Sequence, residues 1–312
     1  MKIAVLCNSR LAQTAIQDLL NEKKIAALGI ANTKVDIIPV YEHFAMMYNV
    51  PLTIFTRKKF GAQLKGWLEE VQPDVVLVMT FPFRIPAALL AIPKYGFINF
   101  HYGLLPEMRG ADPIFESIKQ KKTIAGTTVH QMDAGFDTGN IILREELNFP
   151  THFTYGMLSA QLAQQGADMC KKVLKMLADG NVPSTGQDES KAVYYPALKT
   201  EQVYLDWQNT TAIDLIALIN ACNPMSKSGA PTIVNGWTLG VCDASIINLS
   251  GDTSAYRPGS ILTVDPQNGF LVMTKDGFAL KLEVIYTEEG YFPGYKMANF
   301  GLGPGMKLTG LV

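Results

Sequence analysis

Residues 74–101 read DVVLVMTFPFRIPAALLAIPKYGFINFH. The first six are almost purely apolar and β-branched, the pattern of a strand covered on both faces, as in a parallel sheet. Residues 86–90 form a short helix opened by Pro86, and 96–100 the next strand. Upstream, 3–7 is a short apolar run that ends in the turn-prone pair Asn8-Ser9, and 11–20 has helical spacing. A strand followed by a helix at the start of the chain suggests a βαβ unit. Residues 26–31 give a second strand. Residues 60–71 give a helix with Leu64, Trp67, Leu68 and Val71 on one face, begun by the solvated run Arg57-Lys58-Lys59.

Downstream, 112–119 is helical, 127–132 and 141–147 are strands, and Thr151 or Thr154 caps a long helix running to about residue 177. The texture changes near residue 180. Residues 181–191 are polar and contain Gly, Pro and Ser, as a linker does. After a helix at 211–220 come short strands at 232–234, 237–241, 260–264, 270–274 and 279–285. Asn235-Gly236, Asn268-Gly269 and Asp276-Gly277 supply hairpin turns between some of them. Short strands at this spacing suggest a small β-barrel. The expected organisation is an α/β domain with a mostly parallel sheet over 1–180, a linker over 181–200 and a β-barrel domain over 201–312.

Composition narrows the function. The 312 residues are 48% hydrophobic and 18% charged, enough to bury a large core, with a formal charge of −1. Nucleic-acid binding would then need a local basic patch, and the densest basic run is Arg57-Lys58-Lys59 with Lys65 nearby. Cys7, Cys170, Cys222 and Cys242 form no CxxC pair and read as free thiols in a reducing compartment. The first residues lack the pattern of a signal peptide, and no run of eighteen apolar residues occurs. A cytoplasmic protein that does not enter a membrane is expected. Cys7-Asn8-Ser9-Arg10-Leu11 follows the first strand where a dinucleotide fold would have its glycine fingerprint, and no P-loop occurs. His43, His101, His130 and His152 lack zinc-ligand spacing, so no metal is expected.

The chemistry concentrates in residues 99–142. Period-two alternation puts Asn99 and His101 on one face of a strand end and Phe100 on the other. Strand ends are where ligands bind an open parallel sheet. An amide there can donate to a developing oxyanion, and an imidazole can exchange protons. Leu104-Leu105-Pro106 turns the chain and Arg109-Gly110 continues the loop. Residues 133–139, DAGFDTG, make a second, glycine-rich loop in which Asp137 would complete an acid–base pair with His101. Each residue also has a plainer reading. Asn-x-His is common by chance, an Asp in such a loop is often turn chemistry, and Asp133 could merely pin the backbone. His130 reads as structural within its strand or as a support for a catalytic neighbour, and Arg109 as a surface loop residue. The order and spacing of the whole set are what exceed chance.

That set resembles the formyltransferases that use 10-formyltetrahydrofolate. Their shared pattern appears here as Asn99/His101, Leu104-Leu105-Pro106, Arg109-Gly110, Gly126/Thr128 and Asp133/Gly135/Asp137/Gly139. The resemblance extends over nearly the whole chain and is greatest to the methionyl-tRNA formyltransferase architecture. VYLDWQNTTAIDLIALINACNP (203–224), APTIVNGWTLGV (230–241) and RPGSIL (257–262) match its second domain. The resemblance implies a Rossmann-like domain of the formyltransferase fold followed by a small OB-like β-barrel. It puts Asn99, His101 and Asp137 on the catalytic triplet. Phe81, Phe83, Ile85, Leu105, Pro106, Asp133 and Gly135 fall on the slot for the folate donor, 10-formyltetrahydrofolate. Asn99 and a protonated His101 would stabilise the oxyanion, while Asp137 would keep His101 charged and relay the proton.

The implied acceptor amine is methionyl-tRNA or an amino-sugar nucleotide. Family members that act on tRNA carry a basic, glycine-rich insertion after the second strand. Ala31-Asn32-Thr33-Lys34-Val35-Asp36 is short and nearly neutral there, which favours the small amine, although Lys199, Lys227 and Arg257 could reach a phosphate. Hydrolysis of the donor, with water in place of the amine, is an alternative that uses the same triplet. A non-catalytic binding module is another.

Overall fold

A computed structural model describes residues 1–34, 36–250 and 255–311, so Val35 lies outside the described residues. The chain divides into two compact units. One comprises 1–113, 124–148 and 159–195, and the other 114–123, 149–158 and the chain from 196 onward.

The first unit is built on β1 (Ile3–Cys7), β2 (Ile25–Ala31), β3 (Leu52–Phe55), β4 (Val75–Met79), β5 (Phe97–His101), β6 (Arg109–Gly110), β7 (Ile124–Gln131), β8 (Ile141–Asn148) and β9 (Tyr194–Tyr195). Seven of these form one sheet in the order β3-β2-β1-β4-β5-β7-β8. β3, β2, β1, β4 and β5 run parallel, and β7 and β8 are antiparallel additions at one edge. Every residue of β1 and β4 is buried, as the unbroken apolar run at 75–79 requires. Along β1, Ile3, Val5 and Cys7 join one apolar cluster, while Ala4 and Leu6 join the other. The first cluster holds Ile16 and Leu20 of α1 (Gln13–Asn21), Tyr41 of α2 (Ile38–Tyr48) and Val173 and Leu177 of α5 (Tyr155–Asp179). The second holds Phe60, Leu64, Trp67 and Leu68 of α3 (Phe60–Val71). Each such large side chain contributes about 1.5–3 kcal/mol on burial.

The expected elements are present with shifts of a few residues, and Thr154, not Thr151, caps the long helix, its Oγ1 accepting from the Met157 N–H at 3.4 Å. Two elements had no clear sequence pattern. The apolar residues of α2 go all round the helix, so that only Tyr41 is buried and Met46 and Met47 are exposed. β3 is a four-residue edge strand in which only Phe55 is buried. The polar stretch at 181–195 is not a free linker. Thr185 bridges Ile141 through two backbone hydrogen bonds, of 2.8 and 3.0 Å, and β9 pairs in parallel with β6.

The second unit contains α4 (Pro113–Lys119, from Ile114), α6 (Ala212–Cys222) and an antiparallel sheet. Its strands are β10 (Ala230–Val234), β11 (Trp237–Ile247), β12 (Ile261–Asp265), β13 (Gly269–Met273), β14 (Ala279–Thr287) and β15 (Gly290–Pro293). The order is β10-β11-β14-β13-β12, with β15 against β14. Asn235 (φ 49°) and Gly236 (φ 82°) make the first hairpin turn with both central residues left-handed. Thr309 pairs with Ile233 of β10, and Lys307 pairs with Ser260 just before β12. One short stretch thus joins the two edges of the sheet and closes it into a small barrel. Trp207 is fully buried, and its Nε1–H donates to Thr232 Oγ1 at 2.9 Å.

Leu77, buried at the centre of β4, tests the first core. Leu77→Ala is expected to lower unfolding stability in urea by about 2–5 kcal/mol. Met46→Ala, on an exposed face of α2, is expected to change it by less than about 0.5 kcal/mol.

Candidate active site

The site forms where β5 meets β7. In their antiparallel register Asn99 lies opposite His130, and His101 opposite Thr128. Alternation along β5 sends Ile98 and Phe100 into one apolar cluster and leaves Asn99 and His101 on the other face. The loop between β7 and β8 then brings Asp137 to the same place. Asp137 is left-handed (φ 56°), a conformation that an aspartate adopts more readily than most residues. Gly139 must be glycine here, because a Cβ on it would meet the Gln131 carbonyl oxygen at 1.7 Å.

Four side chains converge. Asp137 Oδ1 lies 3.6 Å from His101 Nδ1, 3.6 Å from His130 Nε2 and 3.5 Å from Asn99 Nδ2. Its other oxygen, Oδ2, accepts the Gly110 N–H at 3.1 Å. Each imidazole has its tautomer set by a carbonyl. His101 Nε2–H donates to the Met108 carbonyl at 2.6 Å, so Nδ1 is the atom that faces Asp137. His130 Nδ1–H donates to the Gln131 carbonyl at 3.1 Å, which leaves Nε2 to accept from Asn99 Nδ2 at 3.0 Å. His130 thereby orients the Asn99 amide with its nitrogen inward, and the second N–H makes only a long contact, 3.5 Å, with Asp137 Oδ1. Burial pushes the Asp137 carboxyl up, but the charge of His101 and the Gly110 N–H oppose it. The net shift is well below the usual carboxylate range.

Asn99, His130 and Asp137 form one wall of a cleft with about 580 Å³ of open space. The apolar walls are Val78, Phe81, Phe83, Ile85 and Met132, and Asp133, Gly135 and Phe136 lie at the loop side. Phe81 and Phe83 pack edge-on, 5.4 Å between centroids, and both pack against Phe60 of α3. Arg84 stacks on Phe136 at 5.1 Å. Five of the residues assigned to the donor slot therefore line the cleft: Phe81, Phe83, Ile85, Asp133 and Gly135.

The other two do not line it. Leu105 is buried with its N–H on Thr128 Oγ1, and the Pro106 carbonyl accepts from the Val193 N–H. His101 is also absent from the cleft wall and stands behind Asp137. Asp133 pins its own loop, its Oδ1 accepting from the Gly135 N–H and Thr138 Oγ1. His130, read from sequence as structural or as a support for a catalytic neighbour, belongs to the converging group. The signal for it was its place two residues before Met132 on the strand that feeds the loop. Arg109 is not a surface residue. It is buried and paired with Gln187 and Glu189.

A family model described as formyl transferase matches residues 2–174. Among relatives, the methionyl-tRNA formyltransferase of Carboxydothermus hydrogenoformans is 35% identical over 223 residues, 72% of this chain and 70% of that protein. The methionyl-tRNA formyltransferase of Clostridium perfringens strain 13 is 29% identical over 303 residues, 95% of this chain and 94% of that protein. Among solved structures, the N-formyltransferase of Helicobacter canadensis in complex with folinic acid and dTDP-3-aminofucose superposes with a TM-score of 0.68. It covers 90% of this chain and 98% of its own at 16% identity, a likeness of fold.

The folded Asp137 carboxyl titrates below its unfolded value, ordinarily 3.8. The stability it contributes is therefore present above that value and is lost as the pH falls toward the folded one. The urea midpoint of the wild type is expected to exceed that of Asp137→Asn at pH 6. The gap should narrow as the pH drops below about 4. A gap that stays constant to pH 2.5 would contradict the geometry.

Proposed function

We propose, since the chain belongs to the formyl transferase family, that it moves a formyl group from 10-formyltetrahydrofolate to the amine of methionyl-tRNA. The observation that carries the reading is the meeting of Asn99, His130 and Asp137 on the wall of an apolar cleft. The cleft suits the donor. Apolar side chains of Phe81, Phe83 and Ile85 stand on one side for a ring system, and the polar groups of Asn99, His130 and Asp137 on the other. The donor supplies an activated formyl carbon bonded to nitrogen.

The chain's residues have two tasks. The first is to stabilise charge that develops on the formyl oxygen as the amine attacks. Asn99 does this with the N–H that is not on His130, which leaves its long 3.5 Å contact with Asp137 Oδ1 to meet the oxygen. The second is to move one proton from the attacking amine to the departing nitrogen. Asp137 faces the cleft as a carboxylate, takes the proton from the attacking amine and hands it to the departing nitrogen as the C–N bond breaks, while the charge on His101 behind it balances the carboxylate. His101 thus acts through Asp137 and not by direct contact with the oxyanion. No serine or cysteine nucleophile is involved.

The tRNA acceptor rests on relatives of that name aligned over up to 95% of this chain. One observation favours a small amine such as an amino-sugar nucleotide. The formal charge is −1, and around residues 31–36 Lys34 is offset by Asp36, which offers a polyanion little. Cys7, Cys170, Cys222 and Cys242 are free and buried. They fit a reducing compartment, and the cytoplasm is the proposed location.

The test is donor consumption with methionyl-tRNA, an amino-sugar nucleotide, or no acceptor. Methionyl-tRNA is expected to give the fastest turnover, with a rate that falls steeply between 50 and 200 mM salt, as contacts to a polyanion require. A faster, salt-insensitive rate with the sugar would assign the small amine instead. Formate release that no amine accelerates would assign hydrolysis. No consumption under any condition would overturn the reading.

A further inference from the structure

The stretch 185–195 wraps around the loop that carries Asp137, and one side chain in it joins every part of that loop's support. Gln187 Nε2–H donates to the Asp137 carbonyl and to the Gly139 carbonyl, each at 2.8 Å. Its Oε1 accepts from Arg109 Nε at 3.1 Å and from Nη2 at 2.8 Å. Two more guanidinium hydrogens of Arg109, one on Nη1 and one on Nη2, go to Glu189 at 2.9 and 2.6 Å. Arg109 precedes Gly110, whose N–H holds the Asp137 carboxylate. Further backbone hydrogen bonds fasten the same stretch at both ends: Thr185 and Ile141 exchange a pair, and the Arg109 and Ala111 N–H groups donate to the Val193 and Tyr195 carbonyls. A Cβ on Gly110 would meet the Tyr195 carbonyl oxygen at 1.9 Å, so the two segments lie directly on each other.

We propose that Gln187 is a positioning residue for Asp137. Its side-chain amide locks the left-handed backbone at 137 to the Arg109-Gly110 segment, so that both ends of the Gly110–Asp137 hydrogen bond are held by one group. Gln187 is well suited to this. One face of its amide has two donors and meets two carbonyls, and the other is an acceptor and meets a guanidinium. Neither a glutamate nor a methionine satisfies both faces. Glu189 fixes Arg109 from the exposed side, so Arg109 presents its Nε and Nη2 to Gln187 in a single orientation. Without Gln187 the two carbonyls lose their donor and the carboxylate is free to swing away from His101 and Asn99. A misplacement of about 1 Å costs on the order of 100-fold in rate at such a site.

The rate prediction rests on the formyl-transfer reading above, so the test has one arm that needs turnover and one that does not. Gln187→Met keeps the side chain's length and removes its polar faces. It is expected to lower kcat for formyl transfer about 10- to 100-fold at unchanged donor KM. Adding it to Asp137→Asn should cost nothing further, because it acts through Asp137. Glu189→Gln, at an exposed position that cannot compromise the core, is expected to lower kcat several-fold in the same direction. In the second arm, urea midpoints are measured for the wild type, both single variants and the double variant. Asp137→Asn is expected to shift the midpoint less in the Gln187→Met background than in the wild type. A wild-type kcat in Gln187→Met, or midpoint shifts that simply add, would overturn the proposal. If the wild type transfers no formyl group, the functional reading fails and the urea cycle alone decides the role of Gln187.

Discussion

The site depends on one carboxylate taken out of water. Asp137 is ionised in a place where burial opposes ionisation, and it stays so because the charged His101 imidazole stands 3.6 Å away and a backbone N–H of the adjoining loop donates to it. Each partner is fixed by something else. His101 is tied to the Met108 carbonyl, His130 to the Gln131 carbonyl, and Gly110 to the strand pairing of β6 with β9. Little in the group has to reorganise when charge develops beside it, which is how a preorganised site lowers a barrier. The cleft beside it has apolar side chains on one side, Val78, Phe81, Phe83, Ile85 and Met132, which lower the dielectric near that charge.

The fold supplies this arrangement through a change of strand direction. The five parallel strands end on the same side, and β7 then returns antiparallel along β5. The return places His130 directly across from Asn99, and the loop that follows reaches back over the strand end with Asp137. A parallel neighbour would have needed a long crossover, and its loop would have left the site. Backbone strain is part of the same construction. Asp137 adopts a positive φ, which costs stability and persists only where the surroundings hold it. Asp133, Gly135, Gly139 and Gln187 provide that hold.

Much of this was legible in the sequence. The apolar run at 75–79 read as a strand covered on both faces, and 60–71 carried a clean apolar stripe. The Asn-x-His alternation put two polar groups on one face at a strand end. What was not legible depended on partners distant in sequence. His130 is an ordinary strand residue until the register with Asn99 is known. The stretch 185–195 looked like a linker because it is polar. Its polar groups in fact bind loop carbonyls and a buried guanidinium in place of water. α2 escaped notice because its apolar residues follow no stripe, and His101 gave no sign that it would stand behind Asp137 instead of facing the cleft.

The most direct measurement is single-turnover formyl transfer by Asp137→Asn, an isosteric change that removes the charge and keeps the shape. The account predicts a fall of about 10²–10⁴-fold in the transfer step, with folate binding and the circular dichroism spectrum retained. A variant that transfers the formyl group within a few-fold of the wild-type rate would show that the carboxylate is only a loop anchor.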